Sequence, residues 1–216
     1  IYQEPEPRHQ YIVSVDTAHG VEDGDFSCIQ VLDRIGRVQV AEYYSRTPPN
    51  IVAEQARLVA TFYNNAVLVP EVDGPGIAVI KELLDSGYVN LWVRSITATN
   101  WTQRFGFRTQ AKDMRDGIIA ALAKAIRLGT HTFKSTRLLN ECKVFIENSN
   151  GRCESMPGEH DDAVMAIAIA IYVDSTLEDA AISEPVNKEV IARDNVAIFL
   201  DADIERGDPH LGVGWK

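Results

Sequence analysis

The sequence predicts an α/β protein built on a mixed sheet, an antiparallel three-strand meander continued by parallel strands and flanked by helices. Three observations carry this reading. Three β-rich segments follow one another between residues 11 and 44 with only short polar turns between them. Residues 66–70 (AVLVP) are wholly apolar, as in a strand buried on both faces. Segments with helical periodicity sit before and after that strand.

The elements follow in order. Tyr11 to Val15 forms a first strand ending at Asp16, and a polar loop through Thr17, His19, Gly20, Glu22, Asp23, Gly24 and Asp25 leads to a second strand, Phe26 to Leu32. Asp33 to Gly36 makes a tight turn and Arg37 to Tyr44 a third strand. Pro48-Pro49-Asn50 stops the sheet, and Ile51 to Asn64 repeats apolar residues at helical spacing. The buried strand ends at Glu71. A helix over 77–86, stopped by Gly87, and a strand from Leu91 to Ser95 come next. Residues 101–109 (WTQRFGFRT) read as an exposed aromatic and basic loop or hairpin. The helix over 113–128 presents Ile118, Ile119, Leu122 and Ile126 on one face and stops at Gly129. Ser135 caps a helix carrying Leu138, Leu139 and Cys142, which passes into Val144 to Ile146 and a turn at residues 148–151. A helix from about His160 to Val173 is so rich in Ala and Ile that it must be buried. The expected organisation is an N-terminal lead (1–10), one α/β domain (11–173) and an acidic C-terminal arm (174–216), with Val196 to Leu200 the one strand candidate in the arm.

Composition bounds the function. With 216 residues, 45% hydrophobic and 24% charged, the chain supports one sizeable core or at most two small ones, which excludes wholesale disorder. No run approaches the ~20 apolar residues of a membrane span, and the opening IYQEPEPRHQ is no signal peptide. A start at Ile1 without an initiator Met reads as a piece of a longer protein or a processed product. Cys28, Cys142 and Cys153 cannot all pair and lack metal-site spacing, so reduced thiols in a cytosolic compartment are expected.

A net charge of −10 argues against a nucleic-acid partner until its distribution is considered. Residues 94–152 carry eleven bases against four acids, whereas residues 174–216 carry ten acids against four bases. Charge so segregated lets one region bind a polyanion while the chain stays acidic, although a solvated charged surface reads the same way.

Acids at element ends are the most informative feature. Asp16 ends the first strand, Glu71 ends the first buried strand, and Asp161-Asp162 open the most apolar helix. Carboxylates beside buried Val and Ala are costly unless paired or bound to a metal. Each has an ordinary reading: Asp161-Asp162 as an N-cap, Asp16 as a loop cap, Glu71 as the partner of Lys112 or an arginine. Taken together, they suggest one cluster held by a hard divalent cation, Mg²⁺ or Mn²⁺. Two such ions ~3.5–4 Å apart cleave phosphodiesters by activating water and stabilising the leaving oxygen.

The order of elements resembles the RNase H-like fold. More narrowly, VSVDTAHGVEDGDFSCIQVLD, VLVPEVDGPGIAVIKEL, FGFRTQAKDMRDGIIAAL and NGRCESMPGEHDDAVMAIAIA resemble the C-terminal nuclease domain of the large terminase subunit of tailed bacteriophages, and together span nearly all of residues 11–173. The resemblance implies that Asp16, Glu71, Asp161 and Asp162 are catalytic metal ligands, with two Mg²⁺ or Mn²⁺ ions during catalysis. It implies double-stranded DNA as substrate, the terminase ATPase domain, small subunit and capsid portal as partners, and the host cytoplasm as location. No G-x-x-x-x-G-K-[ST] loop occurs, so the ATP-driven motor is not in this chain. Arg104, Arg108 and Lys112 are the expected DNA contacts. Asp25 and His160 are candidates to support the cluster from behind, against the ordinary readings of a surface loop acid and a structural helix-start histidine, and His19 is a weaker candidate. A junction resolvase or other RNase H-like nuclease would share the acids, and a non-catalytic portal-docking module would use them only as caps.

Overall fold

A computed structural model describes residues 1–21 and 24–177, so Glu22, Asp23 and nearly all of the acidic arm, Val196 to Leu200 included, lie outside the described residues. Residues Ile1–Thr176 form one compact unit. Strands β1 (Tyr11–Asp16), β2 (Ser27–Asp33) and β3 (Val38–Ser45) make the expected antiparallel meander, and β4 (Val67–Pro70) adds to β1 in parallel, giving the order β3-β2-β1-β4. The fold is the mixed α/β sheet that the sequence predicts.

Between β3 and β4, α1 (Pro49–Phe62) starts on Pro49, whose missing N–H costs nothing in a first turn. The helix ends before Asn64 and Asn65, both with positive φ, which reverse the chain into β4. After β4 comes α2 (Gly76–Asp85). Gly76 is required there, because a Cβ would collide with the carbonyl oxygen of Glu71. Helix α2 can therefore start directly against the end of β4.

The remaining elements are α3 (Trp101–Arg104), α4 (Lys112–Leu128), α5 (Thr136–Val144), the hairpin β5 (Phe145–Glu147) and β6 (Cys153–Ser155), and α6 (Asp162–Thr176). Alternation along the strands sorts residues to two faces. Tyr11, Val13, Val15, Ile29 and Val31 join Val52, Ala56, Ala60, Val79 and Leu83 of α1 and α2 in one core. The opposite face carries Ser14, whose Oγ donates to the Ala166 carbonyl of α6 at 2.6 Å. Helix α6 is buried all round from Asp162 to Ile171, which is why it lacks a polar stripe. One side meets β1 and β2, and others meet α4 and α5.

Three sequence expectations change. The strand at Leu91–Ser95 shrinks to single bridges, Leu91 with Leu68 and Val93 with Phe105. The Arg94 and Ser95 amides both turn to the Arg104 carbonyl, so the segment leaves the sheet. The 101–109 stretch is not an exposed aromatic loop: Phe107 is 4% exposed and Thr109 is buried. Gly106, at φ 75°, lets this backbone run against Val72, Ile80 and the Pro70 carbonyl. On α4 the inward stripe is Ile118, Leu122 and Ala125, while Ile126 lies one position off it and is 50% exposed.

Candidate active site

Strand register brings the first two acids together. Ser14 pairs with Val69 in the parallel β1–β4 ladder, so two residues further on Asp16 and Glu71 emerge side by side on the α6 face. The Glu71 amide continues the ladder by donating to the Val15 carbonyl at 2.8 Å. Helix α6 crosses the same face, and its N-terminus presents Asp161 and Asp162. All four carboxylates line one cleft of about 370 Å³, together with His19, Asp25 and Arg115.

Three of the four acids have a support from outside the carboxylate cluster. Tyr44 Oη donates to Asp162 Oδ2 at 3.0 Å. The Tyr44 ring stacks on Phe26 (centroids 4.4 Å apart, 23° between planes) and lies under the Arg137 guanidinium at 3.8 Å, while Arg46 covers the other side of Phe26 at 4.0 Å. This four-layer stack fixes the phenol, and cation–ring attraction holds its outer layers. Arg115 Nη2 lies 3.2 Å from Asp161 Oδ2. Thr109 Oγ1 donates to Glu71, and the Thr109 and Gln110 amides each donate to Asp73 Oδ2 at 2.9 Å, tying the post-β4 loop to the start of α4. His160 Nδ1 stands 3.7 Å from Asp162 and 3.8 Å from Asp25, and its ring meets Phe26 edge-on.

Glu141 supports the site from beneath. Its Oε2 accepts the Ala163 and Val164 amides at 2.8 and 3.2 Å, supplying from α5 the cap that α6 lacks locally. The buried Gln39 of β3 in turn accepts the Lys134 and Ser135 amides at 2.8 Å each, which sets where α5 begins.

The electrostatics are those of crowded like charges. Burial, then the charges of Glu71, Asp162 and Asp161, push Asp16 well above the usual carboxylate range. Burial also raises Glu71, with Asp73 adding and Arg115 opposing. Burial is the main cause that pushes Asp162 up to about 6, against the Tyr44 hydrogen bond. Glu141 is pushed up to about 7 by burial, despite its two backbone donors. A folded state that holds these protons more tightly than the unfolded chain loses stability as pH rises. For Glu141 that stability is complete below about 4.5, the ordinary Glu value, and is lost as pH passes about 7. The protein in chelator is therefore expected to melt at lower temperature at pH 8 than at pH 5, and Glu141→Gln should flatten that slope. A melting temperature that rises over this interval would contradict the assignment.

The structure thus brings together Asp16, Glu71, Asp161 and Asp162, with Asp25, His160 and His19 at the rim. Among the described residues, no three Asp, Glu, His or Cys side chains converge into a formed metal centre. The donor chemistry still fits a hard divalent cation, since four carboxylates line the cleft without a thiol among them. Among the described residues neither Lys112 nor an arginine bonds Glu71 directly; Thr109 donates to it, and its carboxyl also meets that of Asp16. Arg104 lies beside the Phe105 ring, and Arg108 pairs with Asp73 at 3.5 Å.

The fold recurs in solved structures. The large terminase nuclease of thermophilic phage G20c with bound magnesium superposes at TM-score 0.63, with 19% identity over 78% of this chain and 84% of that one. The chain has the fold of the phage large-terminase nucleases. The Thermus phage P74-26 large terminase nuclease domain gives TM-score 0.60 at 19% identity, covering 78% of this chain and 81% of that one. The G20c nuclease with bound zinc gives 0.57 at 20% identity, covering 78% and 83%. No family model and no curated protein matches the sequence. At this identity the terminase nuclease likeness is one of backbone architecture, and the case for function rests on the cleft itself. No described helix is long and apolar enough to cross a membrane.

Proposed function

We propose that the chain is a divalent-metal-dependent endonuclease that cuts double-stranded DNA during viral genome packaging, the nuclease part of a terminase motor working in the host cytoplasm. The observation that carries this reading is the convergence of four carboxylates, from β1, the end of β4 and the start of α6, on one cleft of a terminase nuclease fold. The terminase ATPase domain, small subunit and capsid portal are the partners that this reading implies.

Asp16, Glu71, Asp161 and Asp162 would hold Mg²⁺ or Mn²⁺, and a pair of such ions supplies an activated water and charge compensation at the leaving oxygen. The chain's own groups do the rest. Tyr44 orients Asp162, Arg115 restrains Asp161, Thr109 orients Glu71, and Glu141 fixes the helix end from which the aspartates project. His160 stands between Asp162 and Asp25, at 3.7 and 3.8 Å, where it can hold the two acids in place.

The test is supercoiled plasmid incubated with the protein and Mn²⁺, Mg²⁺ or chelator. Nicked and linear products are expected with either ion and none in chelator. A protein that neither cuts nor melts higher with Mn²⁺ is a docking module instead. Tyr44→Phe deletes one hydroxyl and leaves the ring stack in place. Because a partner that orients a metal ligand is typically worth 10–100-fold in metal affinity or activity, cleavage should fall by about tenfold and need more Mn²⁺ for half-maximal rate. Melting in chelator should hardly change, and wild-type cutting at low Mn²⁺ would show that Tyr44 has no such role.

A further inference from the structure

A second cleft, of about 400 Å³, adjoins the first and shares Arg115 with it. Lys112 and Arg115 from the first turn of α4, Arg152 from the β5–β6 turn, and the amide side chains of Gln110 and Asn150 line it, with Asp116 the one carboxylate in its lining. Segments some 40 residues apart thus place three cations around one space.

The three cations differ in how far they are neutralised, and several arginines elsewhere in the domain also face a carboxylate. Arg34 is held by Asp174 at 2.7 Å, Arg137 by Glu42 at 3.4 Å and Arg108 by Asp73 at 3.5 Å. Lys112 has no ion-pair partner among the described residues, and Arg152 has only Glu154 at 3.6 Å. Arg115 Nη2 reaches Asp161 at 3.2 Å and the Cys153 carbonyl at 3.3 Å, both long for hydrogen bonds, while its buried Nε has no acceptor. Of the five N–H donors on that rigid fork, the two on Nη1 take no partner among the described residues. Lysine, arginine and side-chain amides around a groove are the groups that contact phosphate and sugar oxygens without reading sequence.

We propose that this second cleft binds the sugar–phosphate backbone of the DNA strand leading into the carboxylate cleft. Arg115 lines both clefts, with Nη2 on Asp161 and the Cys153 carbonyl and Nη1 left to meet a phosphate. The inference rests on the nuclease reading for the identity of the polyanion; it keeps Lys112 as an expected DNA contact and replaces Arg104 and Arg108 by Arg115 and Arg152.

The experiment measures binding of unrelated 20-base-pair duplexes in chelator across a salt series. It compares the wild type, Lys112→Ala/Arg152→Ala, each single variant, and Lys124→Ala/Arg127→Ala as a control that removes the same charge from farther along α4. All the replaced residues are exposed, so the fold is expected to persist, which melting checks. Since each phosphate contact contributes about 0.9 to the logarithmic salt slope, the double variant should lower that slope by about 2 and weaken every duplex about equally, each single variant lowering it by about 1. The control should change little. Binding by the double variant equal to wild type, or an equal loss in the control, overturns the proposal. The nuclease reading fails separately: if the wild type cuts no plasmid with any divalent ion while the double variant still loses duplex affinity, the cleft stands and the catalytic assignment falls.

Discussion

Asp16→Asn is expected to abolish metal-dependent cleavage while leaving the metal-free protein as stable as wild type or more so. Both halves follow from the same geometry. Asp16 emerges beside Glu71 on the α6 face and feels the charges of Glu71, Asp162 and Asp161 in a buried setting. An amide keeps the shape and removes one of the mutually repelling charges, so melting in chelator should hold or rise. The same amide is a far poorer ligand for a hard cation. On the scale of removing one preorganised electrostatic group from an active site, the loss should be about 100- to 1000-fold or more. Plasmid cleavage with Mn²⁺ measures the first half and melting in chelator the second. Retention of full activity would remove Asp16 from the site.

The second large effect is expected at a residue outside the carboxylate cleft. Glu141→Ala strips the acceptor from the Ala163 and Val164 amides, at the start of the most buried helix in the domain. A buried donor left without a partner costs about 1–3 kcal/mol. Relaxation and water entry reduce the sum for two donors, so destabilisation of about 2–3 kcal/mol is expected, a fall of roughly 5–10 °C in melting temperature for a domain of this size. Because Asp161 and Asp162 project from that helix end, the rise in melting temperature with Mn²⁺ should shrink as well. Glu141→Gln retains an acceptor oxygen and should lose much less of both. If Glu141→Ala melts and responds to Mn²⁺ like wild type, the cap carries no weight.

The acids and their supports differ in how legible they are from sequence. Asp16 and Glu71 stand out because each ends an apolar run, and Asp161-Asp162 because they precede a helix with no polar face. Those signals are local, read within a few residues of each other. The supporting contacts are not local. Tyr44 is 118 residues from Asp162, Arg115 is 46 from Asp161, Thr109 is 38 from Glu71, and Glu141 is 22 from Ala163. Each of those residues looks ordinary in its own segment: a tyrosine in a strand, an arginine among eleven bases, a glutamate on a helix. Only the folded chain shows what they face. The same limit explains Leu91 to Ser95, which has a strand's composition yet gives its amides to Arg104 rather than to a ladder.

The hydrogen bond from Ser14 to the Ala166 carbonyl joins residues 152 apart, and the carboxylate cleft, from Asp16 to Asp161 and Asp162, straddles a similar separation. On a ribosome adding ~5–20 residues per second, β1 and β4 emerge well before the segment that completes the cleft. Until α6 has been translated and has docked across β1, Asp16 and Glu71 have no Asp161 or Asp162 opposite them. Nicked or prematurely terminated chains that stop short of residue 161 would therefore be harmless to DNA, and hydrolytic competence would appear only when the topology closes. On the proposed nuclease reading, cutting activity would be a reporter of complete folding, switched on by the last helix of the described domain to be made.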